Sequence, residues 1–329
     1  FLDLTIDEFM AIQNRLMLEQ IRKWRASGIG KTILKGRNPE TIEEFRKMVP
    51  LTSYEDYADS LSLKDKSILP DDPVVWIQTT WEGGRHTIKL APYTRSMLET
   101  YQNNMLGCLM LSTSSGRGDF DVNPKDTILY ALAPLPYATG IFPLLLNDAI
   151  SIEFLPPVKE AQKMSFSERN KKGFKMGLKK GIDFFFGVGS VTYYVSLSIA
   201  SLGSGHKSGS GSGGGDGKKK ISISPAMVVR LLKAKHLCRK EGRDLLPKDL
   251  FRLKGFMCAG TDNRLYRDDL EKLWGVRPME IFAGTEPTCI GTEIWSRDGM
   301  YFFPDACFYE FIPEKEMERS LADPSYEPR

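Results

Sequence analysis

The sequence predicts an α/β protein in which mostly parallel strands lie among helices behind an N-terminal helical cap. Three observations predict it. Short apolar or β-branched runs alternate with segments of helical periodicity, the order in which parallel sheets are built. The run Thr127-Ile-Leu-Tyr-Ala-Leu-Ala133 is apolar throughout, as in a strand buried on both faces. The run Ile281-Phe-Ala-Gly-Thr-Glu-Pro-Thr288 leads a hydrophobic stretch into a Gly-Thr-Glu turn. That places a hydroxyl and a carboxylate together at the C-terminal edge of a strand, where open α/β sheets bind ligands.

The elements follow in order. Thr5-Ile-Asp-Glu8 is a capping box, and Phe9, Ile12 and Leu16 repeat at helical spacing as far as Gly28. Thr41-Ile-Glu-Glu44, after Pro39, reads as a second box. Residues 1–65 are therefore expected to form the helical cap. Strands are expected at 74–79, 127–133 and 152–155 and a helix at 95–111, giving a first α/β subdomain over residues 66–202. The apolar stretch 181–202 has about the length of a membrane span, but it contains Asp183, three glycines and several serines. It reads better as a buried strand at 182–186, a Gly187-Val-Gly189 turn and an amphipathic helix from Ser190, so no membrane span is expected. Residues 203–220, a Gly/Ser run ending in three lysines, cannot build a core and read as a flexible linker, native or engineered. Residues 221–329 read as a second α/β subdomain. It begins with a helix at 225–241 that has Val228, Leu232 and Leu237 on one side. A strand at 255–259 then runs into Gly260-Thr-Asp262, and a helix follows at 267–274. A strand at 279–282 carries the Thr-Glu turn, and further strands are expected at 301–303 and 308–312.

Composition sets bounds on function. The chain has 329 residues, 41% hydrophobic and 26% charged, with a net charge of +3, which gives no strong nucleic-acid signal. Five scattered cysteines and three histidines do not suggest a zinc site or a disulfide framework, and a cytoplasmic setting is expected. Lys163, Arg169, Lys171, Lys172, Lys175, Lys179 and Lys180 stand against a single acid, Glu168. They read as a solvated helix face, with Phe166, Phe174 and Leu178 turned inward.

Two segments carry chemistry in their own residues. Around residues 79–89, Thr79, Thr80, Gly83, Gly84, Arg85 and Lys89 offer the hydroxyls, backbone N–H groups and cations that wrap phosphates. A hairpin whose Gly-Gly turn reverses the chain fits the same residues. In the turn Gly284-Thr285-Glu286, the carboxylate suits a magnesium ion and the hydroxyl a phosphate oxygen, while a solvated loop at a strand end is the plainer alternative.

Three further stretches, taken with that turn, resemble a known superfamily in their order and spacing. They are Pro50-Leu-Thr-Ser-Tyr-Glu-Asp-Tyr57, then Gln78-Thr-Thr-Trp-Glu-Gly-Gly-Arg-His-Thr-Ile-Lys89 with Ala91-Pro-Tyr-Thr94, and Phe308-Tyr-Glu-Phe-Ile-Pro313. The chain resembles the adenylate-forming acyl ligases. It is most like the auxin-responsive promoter family of acyl acid–amido synthetases with its bacterial relatives, and the phenylacetate–coenzyme A ligases. The likeness runs from about Thr5 to Glu314 and implies that the strands form two packed, mostly parallel sheets.

It implies activation of a small-molecule carboxylic acid by ATP and Mg2+ as an acyl adenylate, then transfer to an amine or to coenzyme A. It also implies roles for residues: Glu286 on the metal, Thr285 and Lys89 near phosphate, Gly260, Thr261 and Asp262 near adenosine, and Tyr137, Thr139 and Gly140 lining the acyl pocket. Gly260-Thr-Asp262 equally suits a helix N-cap, and 134–140 a strand–helix turn. The chain departs from the family where relatives carry a Thr-Ser-Gly-Thr-Thr-Gly type run. Here Trp81 and Glu82 intervene, and a carboxylate beside a phosphate is unfavourable. That departure supports an alternative, a non-catalytic relative that binds a ligand or partner. The family's Tyr-Arg-x-Gly-Asp stretch and its C-terminal lid with a catalytic lysine have no counterpart here, so a lidless fragment is expected.

Overall fold

The computed structural model describes residues 1–79, 85–204, 225–323 and 325–326, so Thr80, Gly83, Gly84 and residues 205–220 of the expected linker lie outside the described residues. The chain divides into two compact units. One comprises Phe1–Thr52, Ser67–Pro70 and Pro304–Arg329, the other Ser53–Lys66 and Asp71–Phe303.

The first unit is helical. The helix Ile6–Ala26 begins at the expected capping box, in which the Thr5 hydroxyl accepts from the Glu8 N–H and the Glu8 carboxylate accepts from the Thr5 N–H at 2.8 Å. Its buried Met17 and Ile21 pack with Ile42, and Trp24 stacks on Phe45 at 5.7 Å. The second box forms by half. Thr41 accepts from the Glu44 N–H, but the Glu44 carboxylate takes the Glu40 N–H at 2.7 Å instead of that of Thr41. Residues 308–312 do not form the expected strand. Gln13 explains why. Its amide donates to the carbonyls of Pro304 and Cys307 and accepts from the Tyr309 N–H at 2.9 Å, so a helix side chain satisfies backbone that a strand partner would otherwise pair.

The second unit carries the sheets. Strands β1 (Pro73–Gln78) and β2 (Leu90–Thr94) make an antiparallel hairpin. The remaining strands are β3 (Thr127–Ala131), β4 (Glu153–Leu155), β5 (Phe184–Val188), β6 (Gly255–Ala259), β7 (Met279–Gly284), β8 (Thr288–Thr292) and β9 (Tyr301–Phe302). They form one sheet in the order β4-β3-β5-β6-β7-β8-β9, parallel as far as β7 and antiparallel beyond it. The mostly parallel α/β architecture expected from sequence is present. The parallel strands gather in a single sheet, with β5 paired to β6, and the second sheet is the antiparallel hairpin. The strand that follows the Thr-Glu turn is β8.

Strands β3 and β6 are buried at every position, which is why they read as uninterrupted apolar runs. On one face Leu129, Ala131, Phe185, Phe256 and Cys258 pack with Phe174, Leu178, Leu270 and Trp274. Phe185 stacks on Phe256 at 5.2 Å and meets Trp274 at 5.0 Å. On the other face Phe142 meets Phe186 at 4.5 Å. A Cβ at Gly255 would stand 2.2 Å from the Ser112 hydroxyl, so the helix Arg95–Thr113 can press on β6 only where there is no side chain. The helix Pro225–Glu241 forms as expected but turns Met227, Ala234 and Cys238 inward. Val228, Leu232 and Leu237 are exposed, because the inward stripe runs through Met227, Ala234 and Cys238 at helical spacing. Among the described residues, no helix is long and apolar enough to cross a membrane.

Strand β3 lies between β4 and β5, so the strand order reverses beside it. A doubly wound sheet opens its ligand crevice at the carboxyl ends of the strands flanking such a reversal.

Candidate functional site

The loop leaving β3 is over-determined. Three successive carbonyls are taken: Leu132 by the Arg169 guanidinium, Ala133 by the Thr139 hydroxyl at 3.1 Å, and Pro134 by the Tyr137 N–H at 3.1 Å. Gly140 closes the loop so tightly that a Cβ there would lie 2.2 Å from the Leu135 nitrogen. Thr139 therefore acts as a staple inside the loop, and the Tyr137 ring is half-buried. The helix Phe166–Lys180 supplies Arg169, which sequence places on the solvated basic face. It is 2% exposed, its guanidinium sits over the rings of Tyr130 and Phe166, and its Nε has no partner. Phe166 is exposed instead, while Lys171, Lys175 and Lys179 keep the solvated face.

That loop docks on the hairpin. The Gln78 N–H donates to the Pro136 carbonyl at 2.9 Å, and Gln78 bridges to Tyr137. One residue on, buried Thr79 closes the hairpin: its N–H donates to the Lys89 carbonyl and its hydroxyl accepts from the Lys89 N–H, each at 3.0 Å. The hairpin reading of this segment is realised at its base, and the Thr79 hydroxyl is occupied by it. The Lys89 ammonium lies over the Tyr54 ring at 5.7 Å, and Arg85 is exposed.

The hairpin in turn holds the Thr-Glu turn. Tyr93 of β2 is fully buried, and its hydroxyl donates to the Thr285 carbonyl at 2.5 Å. Burial, and then the Glu286 carboxylate, push the Tyr93 and Tyr57 phenols up, so both stay neutral at ordinary pH. Glu286 is exposed and takes no hydrogen bond or ion pair among the described residues.

At the ends of β5 and β6 the arrangement differs from either sequence reading. The Asp262 carboxylate accepts from the Ser190 N–H at 3.0 Å, and a Cβ on Gly189 (φ +27°) would stand 1.7 Å from its Oδ1. Asp262 thus caps the helix Gly189–Ser204 through its side chain and makes no such bond to its own helix, Asn263–Trp274. Thr261 is exposed, and Gly260 takes φ +124°.

Three of the four predicted segments are therefore linked by hydrogen bonds, through Gln78–Pro136 and Tyr93–Thr285. The fourth begins one residue beyond Ala259, which pairs with Ile281 of the strand that carries the turn. Tyr54, Tyr57 and Tyr93 were not singled out by sequence, and Gly189 and Ser190 were read only as a turn and a helix start. The tyrosines were visible in the 50–57 and 91–94 stretches, but nothing local revealed what they face.

Residues 1–130 match the GH3 family N-terminal domain. A 2-hydroxyisobutyryl-CoA ligase in an open conformation, with 2-HIB-AMP and CoA, is similar at a TM-score of 0.57 and 14% identity, over 94% of this chain and 65% of that one. The same ligase in its postadenylation state gives 0.54 at 13% identity, over 91% and 54%. The GH3.15 acyl acid amido synthetase gives 0.53 at 14% identity, over 90% and 57%. The fold is that of the adenylate-forming ligases. No curated protein sequence matches the chain. The chain spans 65% and 54% of the length of the first two ligase structures.

Within the adenylate-forming ligase fold, the donor set at the turn fits a magnesium nucleotide. Glu286 offers a hard, exposed oxygen ligand, and no cluster of three or more acid, histidine or cysteine side chains able to hold a metal occurs among the described residues. A carboxylate oxygen is the kind of ligand that Mg2+ takes beside substrate phosphates.

Proposed function

We propose that this chain carries the acid-activating site of an ATP-dependent ligase, which makes an acyl adenylate from a carboxylic acid and passes the acyl group to an amine or to coenzyme A. The observation that carries the reading is the Tyr93–Thr285 bond. It keeps an uncommitted carboxylate, Glu286, on a turn held to the hairpin whose base is Lys89. The fold and the GH3 match support the same chemistry.

In this reading Glu286 receives the magnesium ion and the Thr285 hydroxyl orients a phosphate oxygen. Lys89 and Arg85 offset phosphate charge, assisted by the Thr80 hydroxyl and by backbone N–H groups at Gly83 and Gly84. Gly260, Thr261 and Asp262 border the adenosine, with Asp262 acting through the backbone it ties to Ser190. Tyr137, Thr139 and Gly140 wall the acid pocket, which lies on the loop beside the strand-order reversal. Magnesium, when bound, neutralises the charge on the phosphates. The chain's own task is to position groups and exclude alternatives, which in such transfers accounts for most of the rate.

Calorimetric titration with ATP tests this, with magnesium and with a chelator. We expect magnesium-dependent binding, and expect Glu286→Gln to remove most of the magnesium dependence, about a tenfold loss for one charged contact. Equal affinity in the wild type and Glu286→Gln would dismiss the metal role of Glu286. The pair Trp81-Glu82 in the phosphate loop favours a second reading, a relative that binds nucleotide or partner without turnover. Carboxylate-dependent exchange of pyrophosphate into ATP separates the two, because the second reading predicts none.

A further inference from the structure

We propose that Tyr93 is the positioning residue of the nucleotide site: its hydroxyl sets the peptide plane from which Glu286 projects and so couples the hairpin to the metal-binding turn. This rests on the function proposed above and names a residue that the carboxylate needs in order to act.

Tyr93 carries a hydroxyl into the core. Its ring is 0% exposed. Phenylalanine would fill the same volume without bringing a hydroxyl that must find a partner. The partner is a turn carbonyl 192 residues away, and the bond is 2.5 Å. The Thr285 carbonyl and the Glu286 N–H belong to one planar peptide unit. Holding the oxygen therefore restrains the plane, and with it the position of the Glu286 Cα from which the side chain leaves the backbone.

The other end of the turn is also anchored. Thr288 adopts φ +63°, and the Asn104 amide donates to the Cys289 carbonyl at 3.4 Å. A turn pinned at both ends around an uncommitted carboxylate is preorganised for a cation, and the pin nearest the carboxylate is Tyr93.

The test uses four full-length forms of this chain: wild type, Tyr93→Phe, Glu286→Gln and the double variant. Each is titrated with ATP in magnesium and in chelator, and its thermal midpoint is recorded. We expect Tyr93→Phe to weaken Mg·ATP binding about tenfold, the effect of losing one well-placed buried hydrogen bond, with less than a twofold change in chelator. Adding Tyr93→Phe to Glu286→Gln should change affinity less than twofold, because the two act through one contact. A residue that merely supports the fold would weaken binding equally in both backgrounds and in chelator, and that result overturns the proposal. Unchanged Mg·ATP affinity in Tyr93→Phe overturns it too, while leaving the function reading intact. Absence of Mg·ATP binding by the wild type would remove both.

Discussion

At the scale of single residues, Arg169 is the clearest conflict between chemistry and position. A guanidinium is seldom buried without a carboxylate, since desolvating a charge is expensive. Here it lies between the rings of Tyr130 and Phe166, donates to the Leu132 carbonyl and leaves Nε unmatched. Burial pulls the guanidinium's pKa down from its ordinary value, and burial likewise lifts the neighbouring Tyr130 phenol to about 12. The favourable parts are ring stacking and one charge-assisted bond to the loop that starts at β3. Substitution should separate them. Arg169→Met keeps the apolar bulk and removes the desolvated charge, but it leaves the Leu132 carbonyl unpaired. We expect a loss of about 1–2 kcal/mol. Arg169→Ala also opens a void between two rings and should cost about 3 kcal/mol or more. Urea denaturation measures both, and equal losses would mean that the ring packing contributes nothing.

At the scale of elements, what could be read from sequence depended on how far apart the interacting parts lie. Strands β3, β5 and β6 were legible because burial on both faces leaves an apolar run whose signal is local. The helix after Gly187-Val-Gly189 was legible from the glycines that let β5 turn sharply. The contacts that assemble the site are not local. Tyr93 meets Thr285 across 192 residues and Asp262 meets Ser190 across 72. Spacing rules say nothing about such pairs. Arg169 was misplaced for a related reason: charge periodicity sorts a guanidinium to the surface unless a buried carbonyl is known to await it. The same holds at 308–312, where the side chain of Gln13 takes the place of a neighbouring strand.

Asp262 shows what this means for an element. Sequence offered it either adenosine or its own helix, and its carboxylate instead caps the helix that follows β5. Asp262→Ala should lower stability by about 1 kcal/mol, as for other lost N-caps. Asp262→Asn should restore most of it, since the amide oxygen can still accept, and Thr261→Ala should change stability by less than about 0.5 kcal/mol. Thermal melts decide this. A loss of Mg·ATP affinity in Asp262→Ala at unchanged midpoint would instead assign the carboxylate to the nucleotide.

At the scale of the whole molecule, titrating groups set the pH range over which the fold holds. Glu8, Glu168 and Asp323 are lowered by bonds from Thr5, Ser165 and Ser325. Asp249 is lowered too. Burial opposes that shift, but the paired Arg243 bonds at 2.8 Å and the Leu246 N–H outweigh it. A carboxyl lower in the folded chain binds fewer protons there than when unfolded. Its contribution is therefore complete above its ordinary value of 4.5 for Glu or 3.8 for Asp, and is lost as pH falls further. The alkaline side has the opposite sign. Burial lifts Cys258 to about 12 and Cys307 to about 11, from 9.0. Their contribution is complete below pH 9.0 and fades as pH climbs toward those raised values. The urea midpoint should therefore be level from about pH 5 to about pH 8.5 and fall on both sides. Asp249→Asn should flatten the acid limb and Cys258→Ala the alkaline one, with each leaving the other limb unchanged. An acid limb of undiminished slope in Asp249→Asn would move the acid sensitivity away from the Arg243 pair, to the capping carboxylates at the helix ends.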